Sequence, residues 1–280
     1  MLGRVCLVTG ANSGLGLATS AGLARLGATV IMLCRNIDRG TEARDRVRTE
    51  TGNAQVSLVI ADLASLDQVR RAAAELALAH EQLHVLVNNA GIQARRRRVT
   101  VDGFEETFAV NHLAPFLLTS LLAPLLRASA PARVITVASQ VERMGRIHFD
   151  DLQLEHGYGP VRAYAQSKLA NILFTYELAS RLAGTGVTAN CLHPGYVNTG
   201  LMRESPDWMR ALWRPFLPNA DRAARSAIYL ASAPELEIVT GQYFERCRPV
   251  RSSRRSYDAA TRRRLWDASA ALTGAPPINA

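Results

Sequence analysis

Residues 4–16 read RVCLVTGANSGLG, and this segment is the strongest indication of the fold. Residues 4–9 are rich in apolar and β-branched side chains, which predicts a buried strand. The glycines Gly10, Gly14 and Gly16 permit a tight turn into a following helix, whose N-terminus offers N–H groups and a favourable dipole to a diphosphate. The pattern predicts a nucleotide site, although a glycine-rich turn without a ligand has the same sequence.

Further short apolar runs alternate with helical segments along the rest of the chain. Five of them predict strands, over residues 28–34, 55–61, 84–88, 133–138 and 187–192, and 242–244 adds a seventh. Continuous apolar strands separated by helices are typical of a parallel sheet buried on both faces. We therefore predict an α/β fold with a doubly wound parallel sheet of about seven strands in one domain, 1–245, followed by a basic helical tail, 246–280.

The composition indicates a globular protein with its own hydrophobic core. The chain has 280 residues, of which 48% are hydrophobic and 20% charged, enough to form a core without disulfides or metal. The four cysteines are widely spread and have no metal-ligand spacing, so we expect reduced, buried thiols and no metal site; they are Cys6, Cys34, Cys191 and Cys247. The first residues predict a strand rather than a signal peptide, and the longest apolar run is interrupted by prolines. A cytoplasmic location is expected.

The positive charge is concentrated in the tail. The net charge is +9, and residues 246–264 hold eight arginines and one acid, Asp258, which leaves +2 for the remaining chain. Leu265, Trp266 and Leu272 recur at helical spacing and predict a helix that docks on the body of the protein, with contact to a membrane surface as the alternative. Neither this segment nor the arginine run at 95–98 carries a nucleic-acid motif, so no nucleic-acid partner is expected.

One lysine stands out in an arginine-rich chain. Lys168 is the only lysine among 33 basic residues, which indicates a position where an ammonium is needed. Tyr164 lies four residues earlier on a predicted helix, and therefore on the same face. An ammonium beside a phenol stabilises the phenolate and lowers its pKa from about 10 toward the range of acid–base catalysis.

Other polar residues follow the predicted strands. Arg35 and Asn36 end the second strand, where a site for NAD would place an acid; an arginine there suits a 2′-phosphate or is a solvated charge. Asp62 follows the third strand and could bind an adenine amino group or cap the next helix. The fourth strand ends in NNAG at 88–91, which fits either a ligand crevice or an ordinary tight turn.

Together these motifs resemble the short-chain dehydrogenase/reductase family over residues 3–245. The shared motifs are TGANSGLG at 9–16, Asp62, NNAG at 88–91, Asn111, Ser139, Tyr164 with Lys168, and Pro194-Gly195 with Thr199. The segments AVNHLAPFLLT, RIHFDDL, SKLANILFTYELA and RRLWDAS are most similar to the retinol-dehydrogenase-like branch. That branch often carries an N-terminal membrane anchor, whereas this sequence begins with a predicted strand. The arginine-rich composition is similar to that of high-GC bacteria.

The resemblance implies a Rossmann-type fold, a role for each site residue, and NADP(H) as cofactor. Tyr164 is expected to exchange a proton with the substrate oxygen, which Ser139 is expected to hold. Lys168 is expected to lower the pKa of Tyr164 and to bind the nicotinamide ribose. Asn111 is expected to hold a relay water. The implied cofactor-binding residues are Gly10, Asn12, Ser13, Gly14, Leu15, Gly16, Arg35, Asn36, Asp62, Leu63, Asn89, Ala90, Gly91, Tyr164, Lys168, Pro194, Gly195, Val197 and Thr199.

Pro115 supports the expected role of Asn111 independently. In an α-helix the N–H of residue 115 would bond the carbonyl of residue 111, but proline has no N–H. The Asn111 carbonyl is then available to a water, unless the proline marks only a kinked packing helix.

The predicted activity is NADP(H)-dependent interconversion of a carbonyl and an alcohol. Apolar residues at 208, 209, 212, 213 and 216 form one helical face in a region that covers the substrate in this family, which favours an apolar or aromatic small molecule over simple core packing. A non-net-redox member catalysing epimerisation or dehydration, and a catalytically silent NADP-binding protein, are the alternatives. Assembly into a homo-oligomer is left open.

Overall fold

A computed structural model describes residues 1–195 and 220–278. These residues form one eight-stranded sheet in the order β3-β2-β1-β4-β5-β6-β7-β8. The strands are β1 Val5–Thr9, β2 Thr29–Cys34, β3 Val56–Ile60, β4 Val85–Asn88, β5 Ala132–Val137, β6 Val187–His193, β7 Tyr243–Glu245 and β8 Arg248–Val250. The first seven run parallel and β8 is antiparallel to β7.

Helices cover both faces of the sheet. They are α1 Gly14–Arg25, α2 Ile37–Thr51, α3 Leu66–Ala79, α4 Ala114–Ala128, α5 Pro160–Arg181, α6 Ala220–Ser232 and α7 Ala259–Thr273. Successive side chains of β1 enter different cores, because Cys6 and Val8 pack with α1 and α6 while Leu7 packs with α3 and α4. The predicted doubly wound parallel sheet is confirmed.

The edge of the sheet beyond β7 differs from the prediction. Residues 246–280 were expected to form a helical tail, but the segment opens with β8, which brings the sheet to eight strands. Arg246 and Cys247 have φ of 51° and 61° and form a two-residue hairpin turn. Neither residue type signals such a turn, and all three residues of β8 are exposed, so no apolar pattern marks this strand.

Helix α7 packs on the body of the protein, against α4 and α5. Leu265 and Trp266 are buried, and the Trp266 ring lies 4.8 Å from the ring of Phe116 and 5.9 Å from that of Phe174. The Arg181 guanidinium covers the same indole at 4.3 Å. The last turns of the chain are therefore part of the core.

Two sequence expectations concern thiols and membranes. All four cysteines are free, as expected; Cys6, Cys34 and Cys191 are buried, whereas Cys247 lies half-buried in the hairpin turn, so its predicted burial is wrong. Burial raises the pKa of the Cys6 thiol to about 12. Within the described residues the helical stretch Glu106–Ala128 meets the length and composition of a membrane span, but 83% of its most apolar window is buried inside the protein. A buried core helix meets the same criteria, and the cytoplasmic location stays a prediction.

Candidate active site

The glycine turn between β1 and α1 is closely packed on one side and open on the other. A Cβ on Gly16 would overlap the Gly10 carbonyl oxygen, so only glycine fits there. Gly14 has φ +54° and no described atom within 4 Å of a Cβ position. Within residues 1–195 and 220–278 the Ser13 side chain makes no capping hydrogen bond to α1. The open side and the uncapped helix end fit a diphosphate.

Thr9, which sequence reasoning did not single out as a site residue, fastens this turn to the end of β4. Its Oγ1 accepts hydrogen bonds from the backbone N–H groups of Asn89 and Ala90, both at 3.0 Å. The Asn89 Nδ2 in turn donates to the Thr9 carbonyl at 2.7 Å. The NNAG segment therefore holds the glycine turn in place, and the one available signal was a polar residue ending an apolar strand.

The candidates for the adenosine end lie beside each other after β2 and β3. The Arg35 Nη1 is 3.9 Å from Asp62 Oδ2, and the Arg35 side chain is 70% exposed. The Asn36 side chain caps α2 by accepting from Arg39 N at 2.9 Å. Ser65 caps α3, so the alternative interpretation of Asp62 as the cap of that helix is wrong. Leu63 is buried in the core.

Asn111 lies on a π-helical turn, Ala109–Leu113, immediately before Pro115 and α4. Its amide is fully engaged by the protein: Oδ1 accepts from Ile92 N at 2.7 Å, and Nδ2 donates to the Ile92 carbonyl and to Ser167 Oγ, both at 2.9 Å. The side chain thus fixes the turn, and the relay water expected at Asn111 stays a prediction. Single π-turns inside helices occur often at functional sites.

Lys168 is buried beside Asn111. A Cβ on Gly91 would lie 3.4 Å from both Asn111 Oδ1 and Lys168 Nζ. The ammonium donates to the Val137 carbonyl at 3.0 Å, and burial lowers the pKa of Lys168 to about 8. The lysine therefore exchanges its proton closer to neutral pH than an exposed lysine does.

Tyr164 differs from expectation in its acidity. Lys168 Nζ lies 5.4 Å from the centre of the Tyr164 ring, on the predicted shared face of α5. Burial nevertheless raises the pKa of Tyr164 to about 12, and a hydrogen bond with the Ser139 hydroxyl opposes that rise. Burial is the largest influence on this pKa, and the lowering expected from Lys168 is not found among the described residues.

Ser139 completes the cluster from the end of β5. It begins the short helical turn Gln140–Met144, and its Oγ accepts from Val141 N at 3.4 Å. The structure thus brings together all four predicted catalytic residues, Asn111, Ser139, Tyr164 and Lys168. Sequence reasoning missed Ser167 and the Val137 carbonyl, which hold Asn111 and Lys168; the position of Ser167 next to the unique lysine was the only hint.

Of the remaining predicted residues, some belong to the described part of the chain and some do not. Pro194 and Gly195 follow β6, and Gly195 has φ +87°. Val197, Thr199 and the apolar segment at 201–217 lie outside the described residues.

Comparison with known proteins agrees with this geometry. The short chain dehydrogenase family matches residues 4–210. Human retinol dehydrogenase 14 is 44% identical over 98% of this chain and 87% of its own length.

Two solved structures have the same fold. A crystal structure of a protein from Mycobacterium paratuberculosis has a TM-score of 0.81 and 39% identity, covering 99% of this chain and 96% of its own. The RhlG/NADP active-site complex of Pseudomonas aeruginosa has a TM-score of 0.71 and 29% identity, covering 87% and 94%. This chain belongs to the short-chain dehydrogenase/reductase family, in its retinol-dehydrogenase-like branch.

Proposed function

We propose that this oxidoreductase uses NADP(H) to interconvert a carbonyl and an alcohol on an apolar small molecule, with Tyr164 as the acid and base. The observation that carries the proposal is the convergence of Ser139 and Tyr164 with Lys168 and Asn111, next to the open glycine turn. Hydroxyl, phenol and ammonium in one half-buried cluster are suited to move a proton at a single oxygen atom.

Each side chain has a chemical task in this proposal. When bound, NADP(H) supplies or accepts the hydride. Ser139 orients the substrate oxygen, and Tyr164 donates the proton that turns the developing alkoxide into an alcohol. A tyrosine with a pKa of about 12 is protonated at neutral pH and is therefore ready for the reductive direction. Lys168 and the Asn111 carbonyl would return that proton through water.

The preference for NADP(H) rests on Arg35. Its exposed guanidinium follows β2, where an acid would accept the ribose hydroxyls of NAD, and the nearest carboxylate in the described part of the chain, that of Asp62, is 3.9 Å away. A weakly paired guanidinium can bind a 2′-phosphate through charge-assisted hydrogen bonds. The NADP complex of the Pseudomonas aeruginosa neighbour is consistent with this choice.

An apolar substrate is favoured by the sequence and by the relatives. Apolar residues recur at helical spacing over 208–216, and the similar human protein is named a retinol dehydrogenase. The alcohol or aldehyde of a long, nonpolar molecule is therefore the first substrate class to examine.

Tyr164→Phe tests the proposal against a matched control. We expect a loss in kcat of about a hundredfold to ten-thousandfold, the range of acid–base catalysis, with NADPH affinity unchanged. Tyr176→Phe removes another hydroxyl from the same helix, bonded to Ser252 Oγ at 2.7 Å, and should keep its activity.

Apolar aldehydes and alcohols are assayed by NADPH absorbance and by product analysis. Full activity of Tyr164→Phe would refute the role of the tyrosine. Product without change in NADPH would instead favour epimerisation or dehydration, and NADPH binding without any product would favour a silent binding protein.

A further inference from the structure

His112 is a buried titratable group that the proposed mechanism does not use. It follows Asn111 on the π-helical turn and is 1% exposed. Its ring lies among aromatic side chains, with the ring of Phe108 at 5.0 Å and that of Phe174 at 6.2 Å. Its Nε2 is 2.9 Å from the Oγ of Ser269, a residue of the C-terminal helix α7.

The second ring nitrogen selects one tautomer. Among the described residues, His112 Nδ1 and Asn171 Oδ1 are both buried, and neither has a hydrogen-bond partner. Burial lowers the pKa of His112 to about 4, and the Asn171 side chain opposes that effect. An Nδ1–H group facing Asn171 Oδ1 would be favourable for both atoms, whereas the other tautomer would set two acceptors against each other.

This tautomer bears on the role of Ser269. Its hydroxyl has one hydrogen and two acceptors in reach, the Leu265 carbonyl at 2.7 Å and His112 Nε2 at 2.9 Å. With the proton on Nδ1, the imidazole Nε2 is an acceptor, and a Ser269 hydroxyl turned from Leu265 toward the ring would donate to it. The Leu265 carbonyl keeps the backbone bond of the helix.

The chain of contacts continues to the catalytic lysine. Asn171 Nδ2 lies 3.4 Å from the Val137 carbonyl, the same oxygen that accepts from Lys168 Nζ at 3.0 Å. On its other side, His112 is the direct neighbour of Asn111 on the π-turn. The contacts of His112 therefore reach both members of the expected proton relay.

We propose that His112 is a positioning residue, held by Ser269 of the C-terminal helix, that sets the placement of Asn111 and Lys168. Helix α7 is then part of the catalytic unit. The inference rests on the proposed function for its kinetic consequence but not for the contact itself, since Lys168 can be observed directly.

The unique lysine makes the test selective. Protein labelled with carbon-13 at the lysine ε carbon gives one NMR signal, whose titration reports the pKa of Lys168 in wild type, expected near 8. Ser269→Ala and His112→Phe should loosen the Val137 contact and admit water, so the pKa should rise toward its ordinary value by about 0.5 or more.

Thr273→Val is the matched control. Thr273 is also buried on α7, and its Oγ1 bonds to the Ser269 carbonyl at 2.7 Å, so the variant removes a similar hydroxyl away from His112. It should change neither the pKa of Lys168 nor turnover. In Ser269→Ala we expect kcat to fall about tenfold with KM for the carbonyl substrate within about twofold, as for a misplaced catalytic group.

The outcomes separate the two proposals. If Ser269→Ala matches Thr273→Val in the pKa of Lys168, the inference is overturned, as it is if that pKa moves while kcat does not. Should wild type turn over no substrate, the proposed function fails, and the lysine titration alone still decides whether Ser269 and His112 hold Lys168. Ser269→Ala added to His112→Phe should have no further effect if both act through one contact.

Discussion

The buried charge of Lys168 is needed for the proposed activity, but it should make the folded protein less stable than a variant without that charge. The ammonium is 2% exposed and has the Val137 carbonyl as its hydrogen-bond acceptor among the described residues. Burial disfavours a charge, and the pKa of this lysine falls accordingly to about 8. We therefore predict that Lys168→Met, which removes the charge and keeps a long side chain, abolishes activity and raises stability.

The size of the effect follows from the pKa. A fall from 10.5 to about 8 corresponds to about 3 kcal/mol against the charged form at neutral pH. Losing the bond to Val137 takes back about 1 kcal/mol, so we expect a net gain of about 2 kcal/mol. For a chain of this length that is an increase in Tm of about 3 °C.

The dependence on pH gives a sharper signature than stability alone. Since the folded-state pKa is lowered, the unfolded chain binds more protons between pH 8 and pH 10.5, and the stability of wild type rises with pH across that window. Below pH 8 both states hold the proton and the whole penalty is present. Lys168→Met lacks the group, so its advantage over wild type should shrink as pH approaches 10.

Urea unfolding of both proteins at pH 7 and pH 10 measures this difference. Other titrating groups contribute equally to the two proteins and cancel when one is subtracted from the other. A Lys168→Met protein no more stable than wild type at pH 7, or with the same advantage at both pH values, would refute the burial penalty.

Two further predictions concern the cofactor and the C-terminal helix. Arg35→Ala should weaken NADPH binding by about tenfold to a hundredfold and leave NADH binding nearly unchanged, as measured by fluorescence titration; equal losses for both cofactors would contradict a 2′-phosphate contact. Trp266→Ala should cost about 3–5 kcal/mol in urea unfolding because it empties a buried aromatic site, without altering sedimentation with anionic vesicles. Arg263→Ala, exposed on the same helix, is the control, and salt-sensitive vesicle binding that depends on this helix would instead support a membrane-surface role.

The parallel sheet could be predicted because its strands carry their own signal. A strand covered on both faces is apolar at every position, and β1, β2 and β6 are buried along nearly their whole length. β8 has no such signal, since it is exposed, contains Pro249 and follows a hairpin turn without glycine or asparagine. Its formation depends on pairing with β7, which a local pattern does not contain.

In the candidate site, too, the features that depend on local sequence could be predicted, and those that depend on distant residues could not. The spacing of Tyr164 and Lys168 places both on one helix face, and that part of the prediction needs only the geometry of a helix. The pKa of Tyr164 depends on how deeply the ring is buried and on where the ammonium finds its acceptor. The acceptor of the ammonium is the Val137 carbonyl, 27 positions before Tyr164 on another element, and the Ser139 hydroxyl that acts on the tyrosine comes from a different element again.

The burial of Lys168 also explains why a chain with 32 arginines keeps one lysine here. The ammonium lies 3.4 Å from a Cβ position on Gly91 and has the Val137 carbonyl as acceptor. A guanidinium carries five N–H donors in a rigid plane and does not lose its proton in proteins, so in this space most of its donors would be unsatisfied and its charge permanent. Only a compact cation that can release a proton near neutral pH fits both the space and the proposed relay.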